Sequence, residues 1–297
     1  MSSSLPKNNQ RGKPHGFDNP SKTLVIPAAG LGSRLLPATD LIPKELFPIA
    51  GVPSLQWILH EALSINVSKV VLIVSKNKPL LRVFVKNLEK YGDICSNLNK
   101  PVLAESFYAA ARLEFVLVDQ DSPKGLGHAI YLAKNHVDGR FLVALPDEIF
   151  PSSSPFSDLY LASSATSSSA ISLKPTDLKE ISSYGVADTA SFLQAPSWWG
   201  VSAETRVCSI RSLVEKPTAS NAPSNLAVVG RYCLSQDVFE ILSDLKPSKG
   251  GEIQLTDALS ILARTDALWG AVGQDQRFDT GTLEGFVKGS SMTPPWG

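Results

Sequence analysis

The sequence predicts an α/β fold with a mixed, mostly parallel central sheet covered by helices on both faces, and three observations predict it. Short, unbroken, β-branched apolar runs, T-L-V-I-P from Thr23 and K-V-V-L-I-V from Lys69, read as strands buried on both faces. Segments with helical spacing, residues 55–65 and 127–135, alternate with such runs, the order that gives parallel strands joined by crossovers. The first run also meets a glycine-rich turn, A-A-G-L-G-S-R-L, that punctuates the strand's end.

In chain order, residues 1–22 are polar, with Pro, Gly, Asn and Ser interspersed and no apolar segment of the secretory kind, and are expected to form a disordered leader. Structure is expected from Thr23. Further strands are expected at 114–118 and 140–145, with the 127–135 helix between them. Residues 152–169 are serine-rich, but Phe156, Leu159, Tyr160 and Leu161 interrupt them, which predicts a surface helix and a loop rather than a linker. From Ala170 the pattern changes. A-I-S-L, Y-G-V-A-D, V-C-S-I-R-S-L-V-E-K-P and L-A-V-V-G-R-Y-C-L read as strands of a mixed sheet, and Q-A-P-S-W-W-G as a loop insertion. Trp198 and Trp199 in that loop read as a local apolar cluster or a partner contact rather than a ligand platform. No internal repeat is visible.

Composition narrows the function. The chain of 297 residues carries 43% hydrophobic and 19% charged residues, ordinary for a globular protein and unlike a disordered one. Lys plus Arg and Asp plus Glu both count 28, so there is no basic surplus of the kind nucleic-acid binding calls for. An anionic ligand must be held by a local cluster of charge. Cys95, Cys208 and Cys233 form no C-x-x-C pair, which argues against a zinc site or a disulfide framework and fits a reducing compartment. The longest apolar runs, such as 70–74, are too short to span a bilayer. A cytoplasmic protein with no membrane partner is expected.

Candidate site residues gather at the ends of the expected strands. Gly30 and Gly32 let a backbone approach phosphate closely, and successive N–H groups there can form an anion-binding concavity. Leu35 stands where a dinucleotide fingerprint has its third glycine, and no G-K-[ST] follows, so neither common phosphate motif is present. Arg34 offers a planar fork to phosphate oxygens and Lys44, in I-P-K-E-L, a point charge. Asp147 follows F-L-V-A-L-P at the carboxyl end of an apolar strand, where ligands of open α/β sheets bind, and is placed to hold Mg²⁺. Asp279, in R-F-D-T-G-T, is a turn former or a second carboxylate on the same ion. In V-E-K-P, Pro217 ends a strand and projects Glu215 and Lys216 into a cleft, the first toward hydroxyls and the second toward a phosphate. No histidine pairs with a nucleophile: His15 is in the leader, and His60, His128 and His136 fall in helical patterns. A phosphate monoester, with a second pKa near ~6, is already ionised at neutral pH and attacks without a general base. Positioning and charge neutralisation are what remain.

These residues resemble a known family, the bacterial UTP–glucose-1-phosphate uridylyltransferases within the sugar nucleotidyltransferases. The matching strings are V-I-P-A-A-G-L-G-S-R-L-L-P-A-T, I-P-K-E-L, K-G-L-G-H-A-I, A-L-P-D, Y-G-V-A-D, V-E-K-P, A-P-S-N-L-A-V-V-G-R-Y, G-E-I-Q-L-T-D-A-L and F-D-T-G-T, in family order. The resemblance implies a Rossmann-like nucleotidyltransferase core with a sugar-binding subregion: one domain over 23–288, its nucleotide-binding part about 23–150 and its sugar-binding part about 170–288, with a tail at 289–297. It implies that Ala28, Ala29, Gly30 and Gly32 line the nucleotide, with Arg34 and Lys44 on the triphosphate. Gln120 lies where the family reads the uracil edge, and Gly125 follows in K-G-L-G-H. Asp147 and Asp279 match magnesium carboxylates. Tyr184, Gly185, Glu215, Lys216 and Tyr232 match positions facing the glucosyl phosphate. The reaction so implied is in-line attack of glucose 1-phosphate on the α-phosphorus of UTP, giving UDP-glucose and pyrophosphate with Mg²⁺.

The chain departs from the family pattern at Asp40, where a lysine is common, and at Asp121, where a glycine is usual. It ends soon after Lys288, where relatives continue into helix used in subunit contact, which leaves the oligomeric state open, a homo-oligomer included. Two alternatives stand beside the uridylyltransferase: a thymidylyltransferase acting on the same sugar phosphate, and a catalytically silent paralogue that binds a nucleotide sugar. K-G-L-G-H and E-I-Q-L-T-D favour uridine. Retention of Arg34, Lys44, Asp147, Lys216 and Asp279 speaks against the silent form.

Overall fold

A computed structural model describes residues 22–151, 154–190, 192–248, 250–265, 267–273, 276–294 and 296. The expected leader, apart from Lys22, lies outside the described residues.

The first half is built as the apolar runs foretell. Strands β1 (Lys22–Pro27), β2 (Val67–Val74), β3 (Glu114–Asp119) and β4 (Phe141–Ala144) are parallel and lie in the spatial order β3-β2-β1-β4. The chain therefore starts in the middle of the sheet and reverses direction between β1 and β4. Strands β5 (Ser169–Pro175), β6 (Gly185–Thr189), β7 (Leu193–Gln194), β8 (Arg206–Glu215), β9 (Leu226–Leu234) and β10 (Leu268–Val272) extend it to a 10-stranded sheet in the order β4-β9-β5-β10-β8-β7. β6 pairs with both β8 and β9. The sheet is mixed, as expected, but its parallel character belongs to the first half. Beyond β4 every pairing except β10 on β5 is antiparallel. The short link 195–205 leaves no room for a crossover helix, so β7 and β8 run back beside one another.

Side chains of β1 alternate between two cores, Leu24 and Ile26 facing one and Val25 the other, as the two-residue period of a strand requires. Helices α1 (Ser54–Ser64), α2 (Pro79–Lys86), α3 (Leu88–Asn97), α4 (Pro101–Ala111) and α6 (Phe156–Thr166) cover the first face. Helices α5 (Leu126–Tyr131), α7 (Asp237–Asp244) and α8 (Leu255–Arg264) cover the second. The helix expected at 127–135 is α5 followed by a separate 3-10 turn, Lys134–His136. The serine-rich stretch does hold a helix, α6, which buries Phe156, Leu159 and Ala162 under the sheet. Trp199 is buried edge-on against Trp269, the local apolar cluster foreseen for that loop. All three cysteines are buried and free. A last helix, α9 (Leu283–Ser290), crosses the short ribbon Pro48–Ile49, and beyond it Trp296 is buried against Trp57 and His60. No described helix is long and apolar enough to cross a membrane.

Candidate active site

A cleft of about 430 Å³ opens outside the carboxyl ends of β1 and β4, at the point where the strand order reverses and open α/β sheets take their ligands. The backbone of β1 runs on in register to Ala28, whose N–H donates to the Ile73 carbonyl at 2.8 Å. Then it turns. Gly32 adopts a φ of 67°, which glycine alone takes without steric cost, and the Thr39 hydroxyl donates to its carbonyl at 3.0 Å. A 3-10 turn, Ser33–Leu35, follows and carries Arg34 into the cleft.

Asp147 and Asp279 are far apart in sequence and adjacent in space because a two-residue antiparallel ribbon joins the segment after Asp147 to the segment that ends in Asp279. Glu148–Ile149 pairs with Phe278–Asp279, in the register Asp279↔Glu148. Thr280 reinforces it, donating its N–H and its hydroxyl to the Asp147 carbonyl at 2.7 and 2.9 Å. Between the two carboxylates sits Gly281. A Cβ on it would lie 2.6 Å from Asp147 Oδ2, 2.8 Å from Arg34 Nη2 and 3.1 Å from Asp279 Oδ1, so the missing side chain keeps open a space edged by two acidic oxygens and a guanidinium.

Cations converge on the same point. Lys44 Nζ donates to Asp147 Oδ2 at 2.6 Å, and Arg34 Nη2 lies 3.7 Å from that oxygen. Arg34 Nη1 donates to Asp279 Oδ2 at 3.4 Å. Burial alone would push the Asp147 carboxyl up, but Lys44 and then Arg34 outweigh it and hold the group below the usual carboxylate value. Burial likewise pulls Lys44 down, and Asp147 with Glu45 more than restores it, leaving its ammonium above the usual lysine value. Both groups are charged at neutral pH.

The second half supplies the opposite wall. β8 ends at Glu215, and Lys216 takes a left-handed φ of 45° with its N–H donating to the Tyr184 carbonyl at 3.1 Å. Its side chain is 60% exposed, with Nζ 3.6 Å from Glu215 Oε1. Thr256 donates to Glu215 Oε2 at 2.6 Å, which fixes that carboxylate. The Tyr184 hydroxyl donates to Asp279 Oδ2 at 2.9 Å, and Tyr232 is buried along β9 beneath the cleft.

Of the residues singled out from sequence, all but Ala28 line this one cleft. Ala28 is fully buried behind the loop, and its carbonyl accepts from Lys78 Nζ at 2.9 Å. The departures from family pattern fall outside it. Asp121 is turned to the surface, 2.7 Å from Lys76, and Asp40 is exposed on the turn Ala38–Leu41.

Several residues at the site carried no reading from sequence. Lys78 grips both Glu45 oxygens at 3.0 Å in the interior behind Lys44. Arg277 donates to the Tyr184 hydroxyl at 2.9 Å and to Glu148 Oε1 at 3.3 Å, and so braces the tyrosine that holds Asp279. Burial drives the Glu148 carboxyl up to about 8, offset in part by Arg277, and among the described residues its buried Oε2 has no partner. The one signal for Arg277 was its position two residues before Asp279.

The model of the Nucleotidyl transferase family matches residues 23–294. The chain belongs to that family. Among curated nucleotidyl transferases, it is 36% identical over 270 residues to UTP–glucose-1-phosphate uridylyltransferase 2 of Staphylococcus saprophyticus subsp. saprophyticus, covering 90% of each chain. It is 33% identical to the UTP–glucose-1-phosphate uridylyltransferase of Bacillus subtilis, over 89% of this chain and 87% of that one. Among solved structures, a UDP-glucose pyrophosphorylase complexed with UDP-glucose superposes with a TM-score of 0.76 at 33% identity, covering 91% of this chain and 97% of that one. An apo UDP-glucose pyrophosphorylase gives 0.80 at 32%, over 91% and 96%.

Proposed function

We propose that this nucleotidyl transferase transfers the uridylyl group of UTP to glucose 1-phosphate, giving UDP-glucose and pyrophosphate. The observation that carries the reading is the meeting of Arg34, Lys44, Asp147 and Asp279 at one point of the cleft, opposite Glu215 and Lys216. Two polyanions can be held together only where cations neutralise them, and a neutral chain must concentrate that charge locally. Relatives named as uridylyltransferases of this kind at 33–36% identity support the choice of substrates.

In this reading Ala29, Gly30 and Gly32 lie along the nucleotide, Arg34 and Lys44 bind its phosphates, and Gln120 and Gly125 face the base. Tyr184, Gly185, Glu215 and Tyr232 shape the sugar pocket, and Lys216 binds the sugar phosphate. Among the described residues no histidine or thiol lines the cleft, and the attacking phosphate needs no base.

The residues present fit a magnesium ion. Two hard carboxylates edge the space that Gly281 keeps open, and Mg²⁺ is commonly held by one or two carboxylates together with substrate phosphates and waters. Asp147 and Asp279 would hold it. Bound there, the ion supplies neutralisation of phosphate charge. Lys44 and Arg34 act beside it, drawing the triphosphate into line, while Lys216 orients the attacking oxygen from the other wall.

The assay offers purified protein, Mg²⁺ and glucose 1-phosphate with UTP, dTTP, CTP, ATP or GTP, and follows pyrophosphate. Fastest release with UTP is expected. Release with none would end the enzyme reading, and fastest release with dTTP would replace uridine by thymidine.

A further inference from the structure

Gln120 follows β3 and is buried, its backbone N–H donating to the Val74 carbonyl at 2.8 Å and its side chain lining the cleft. Nε2 of that side chain donates to the Gly125 carbonyl at 3.3 Å and lies 2.8 Å from Nδ1 of His128 on α5. A backbone carbonyl only accepts, so the amide atom beside Gly125 is the NH₂ group. The same NH₂ group meets the imidazole, so Nδ1 must accept and the ring proton must sit on Nε2. Burial, seconded by the Lys124 charge, holds the imidazole below the ordinary histidine value, in line with a neutral ring. Both amide hydrogens are thereby committed. What Gln120 has left is Oε1, to which no described residue donates.

We propose that His128 is a positioning residue for base selectivity: by accepting from Gln120, it fixes the amide so that only an acceptor oxygen faces the nucleotide base. The proposal rests on the reading above, in which Gln120 meets the base of UTP. Uracil carries a hydrogen on N3 and offers it to Oε1. Cytosine has a bare N3, and two acceptors would then face each other. To donate to cytosine the amide would have to flip, which sets Oε1 against the Gly125 carbonyl and the Nδ1 lone pair at once. Thymine carries the same N3 hydrogen as uracil, so the device separates UTP from CTP and is blind to the difference between UTP and dTTP.

In the same reading, the residues assigned to the sugar, the triphosphate and the metal line other parts of the cleft, which makes the effect separable. Kinetics with glucose 1-phosphate and each nucleotide test it in His128→Phe, which removes the acceptor, and in His128→Asn, whose side-chain carbonyl restores one near the Nδ1 position. Loss of one net hydrogen bond predicts a fall of about 5- to 10-fold in the UTP-to-CTP ratio of kcat/KM for His128→Phe. The UTP-to-dTTP ratio and the KM for glucose 1-phosphate should hold, and His128→Asn should keep most of the wild-type ratio. An unchanged UTP-to-CTP ratio in His128→Phe, or equal losses for all three nucleotides, would overturn the proposal. A second measurement needs no variant. Nitrogen-15 spectra of the wild-type histidine rings should find Nδ1 of His128 unprotonated at neutral pH, and a proton there would refute the geometry. Wild-type protein that is inert toward UTP would instead sink the substrate assignment, while the ring spectrum would still decide how His128 holds Gln120.

Discussion

Replacing Arg231 by methionine should be among the most damaging single changes in this chain, although the residue touches no substrate in the proposed site. Its guanidinium is fully buried in β9, and it donates to the Glu61 carboxylate from Nε at 3.0 Å and from Nη2 at 2.6 Å. Nη2 also reaches the Glu148 carbonyl at 2.8 Å and Nη1 the Leu145 carbonyl at 3.2 Å. Those two carbonyls bracket Pro146 and Asp147, so one side chain pins both ends of the segment that carries the Asp147 carboxylate. Methionine fills much of the volume but leaves Glu61, 7% exposed, as a buried charge whose remaining partner is the Ser154 hydroxyl at 2.8 Å. Breaking a buried pair from one side costs ~3–5 kcal/mol. At ~2–4 °C per kcal/mol for a domain of this size, the melting temperature should fall by about 6–20 °C. The paired change Arg231→Met with Glu61→Gln removes both charges and should recover at least ~2 kcal/mol, because the penalty is the orphaned carboxylate rather than the lost attraction. Denaturant unfolding of wild type, both singles and the double closes the cycle. A single Arg231→Met variant within ~1 kcal/mol of wild type, or a double no better than the single, would refute the reasoning.

Two further outcomes follow from the carboxylate pair. Asp147→Ala should lower turnover by about 10²-fold or more while circular dichroism stays native, as loss of one preorganised electrostatic group does; near-normal activity would remove Asp147 from the site. Gly281→Ala inserts a methyl 2.6 Å from Asp147 Oδ2 and 2.8 Å from Arg34 Nη2. It should raise the Mg²⁺ concentration needed for half-maximal activity about tenfold or more, and an unaltered Mg²⁺ titration would show that the space is not where the ion sits.

How much of this was legible depended on how local the cause was. The buried strands were, because a short β-branched run such as V-V-L-I-V fits a strand buried on both faces, and so was the glycine turn at the end of β1. The helices between Pro79 and Ala111 were not read. Their apolar positions are spaced among lysines, asparagines and Gly92, and the prolines that open α2 and α4 also serve as breakers. The buried Lys78–Glu45 pair gave no sign, since either residue alone is almost always exposed. Trp296 sits where nothing nearby in sequence needs it, and its burial is set by Trp57 far upstream. Ala28 falls outside the cleft lining for a finer reason. The strand's hydrogen bonding runs one residue past its apolar run, which puts Ala28 in the core and starts the loop at Ala29. Asp147 and Asp279 could be named singly, but what sets them side by side is the ribbon Glu148–Ile149 with Phe278–Asp279, two residues a side and too short to leave a pattern.

The contact of Lys44 with Asp147 creates a conflict that the ligand must resolve. Lys44 and Asp147 are 2.6 Å apart, so each already holds the charge that its proposed ligand would have to supply. A divalent ion arriving alone competes with Lys44 for Asp147, and a triphosphate arriving alone must draw Lys44 away and leave a buried carboxylate bare. Removing the lysine charge therefore has opposite effects on the two ligands. In Lys44→Met the carboxylate is no longer occupied, and Mg²⁺ in the absence of nucleotide should bind more tightly, whereas UTP without metal loses a charge-assisted contact and should bind more weakly. A charged hydrogen bond of ~1.5–3 kcal/mol sets the scale at roughly 10- to 100-fold in each direction. Calorimetry of each ligand alone against wild type and variant measures both. If the two affinities moved the same way, Lys44 would be a fixed brace for Asp147 rather than a group that exchanges partners between the empty and the loaded cleft.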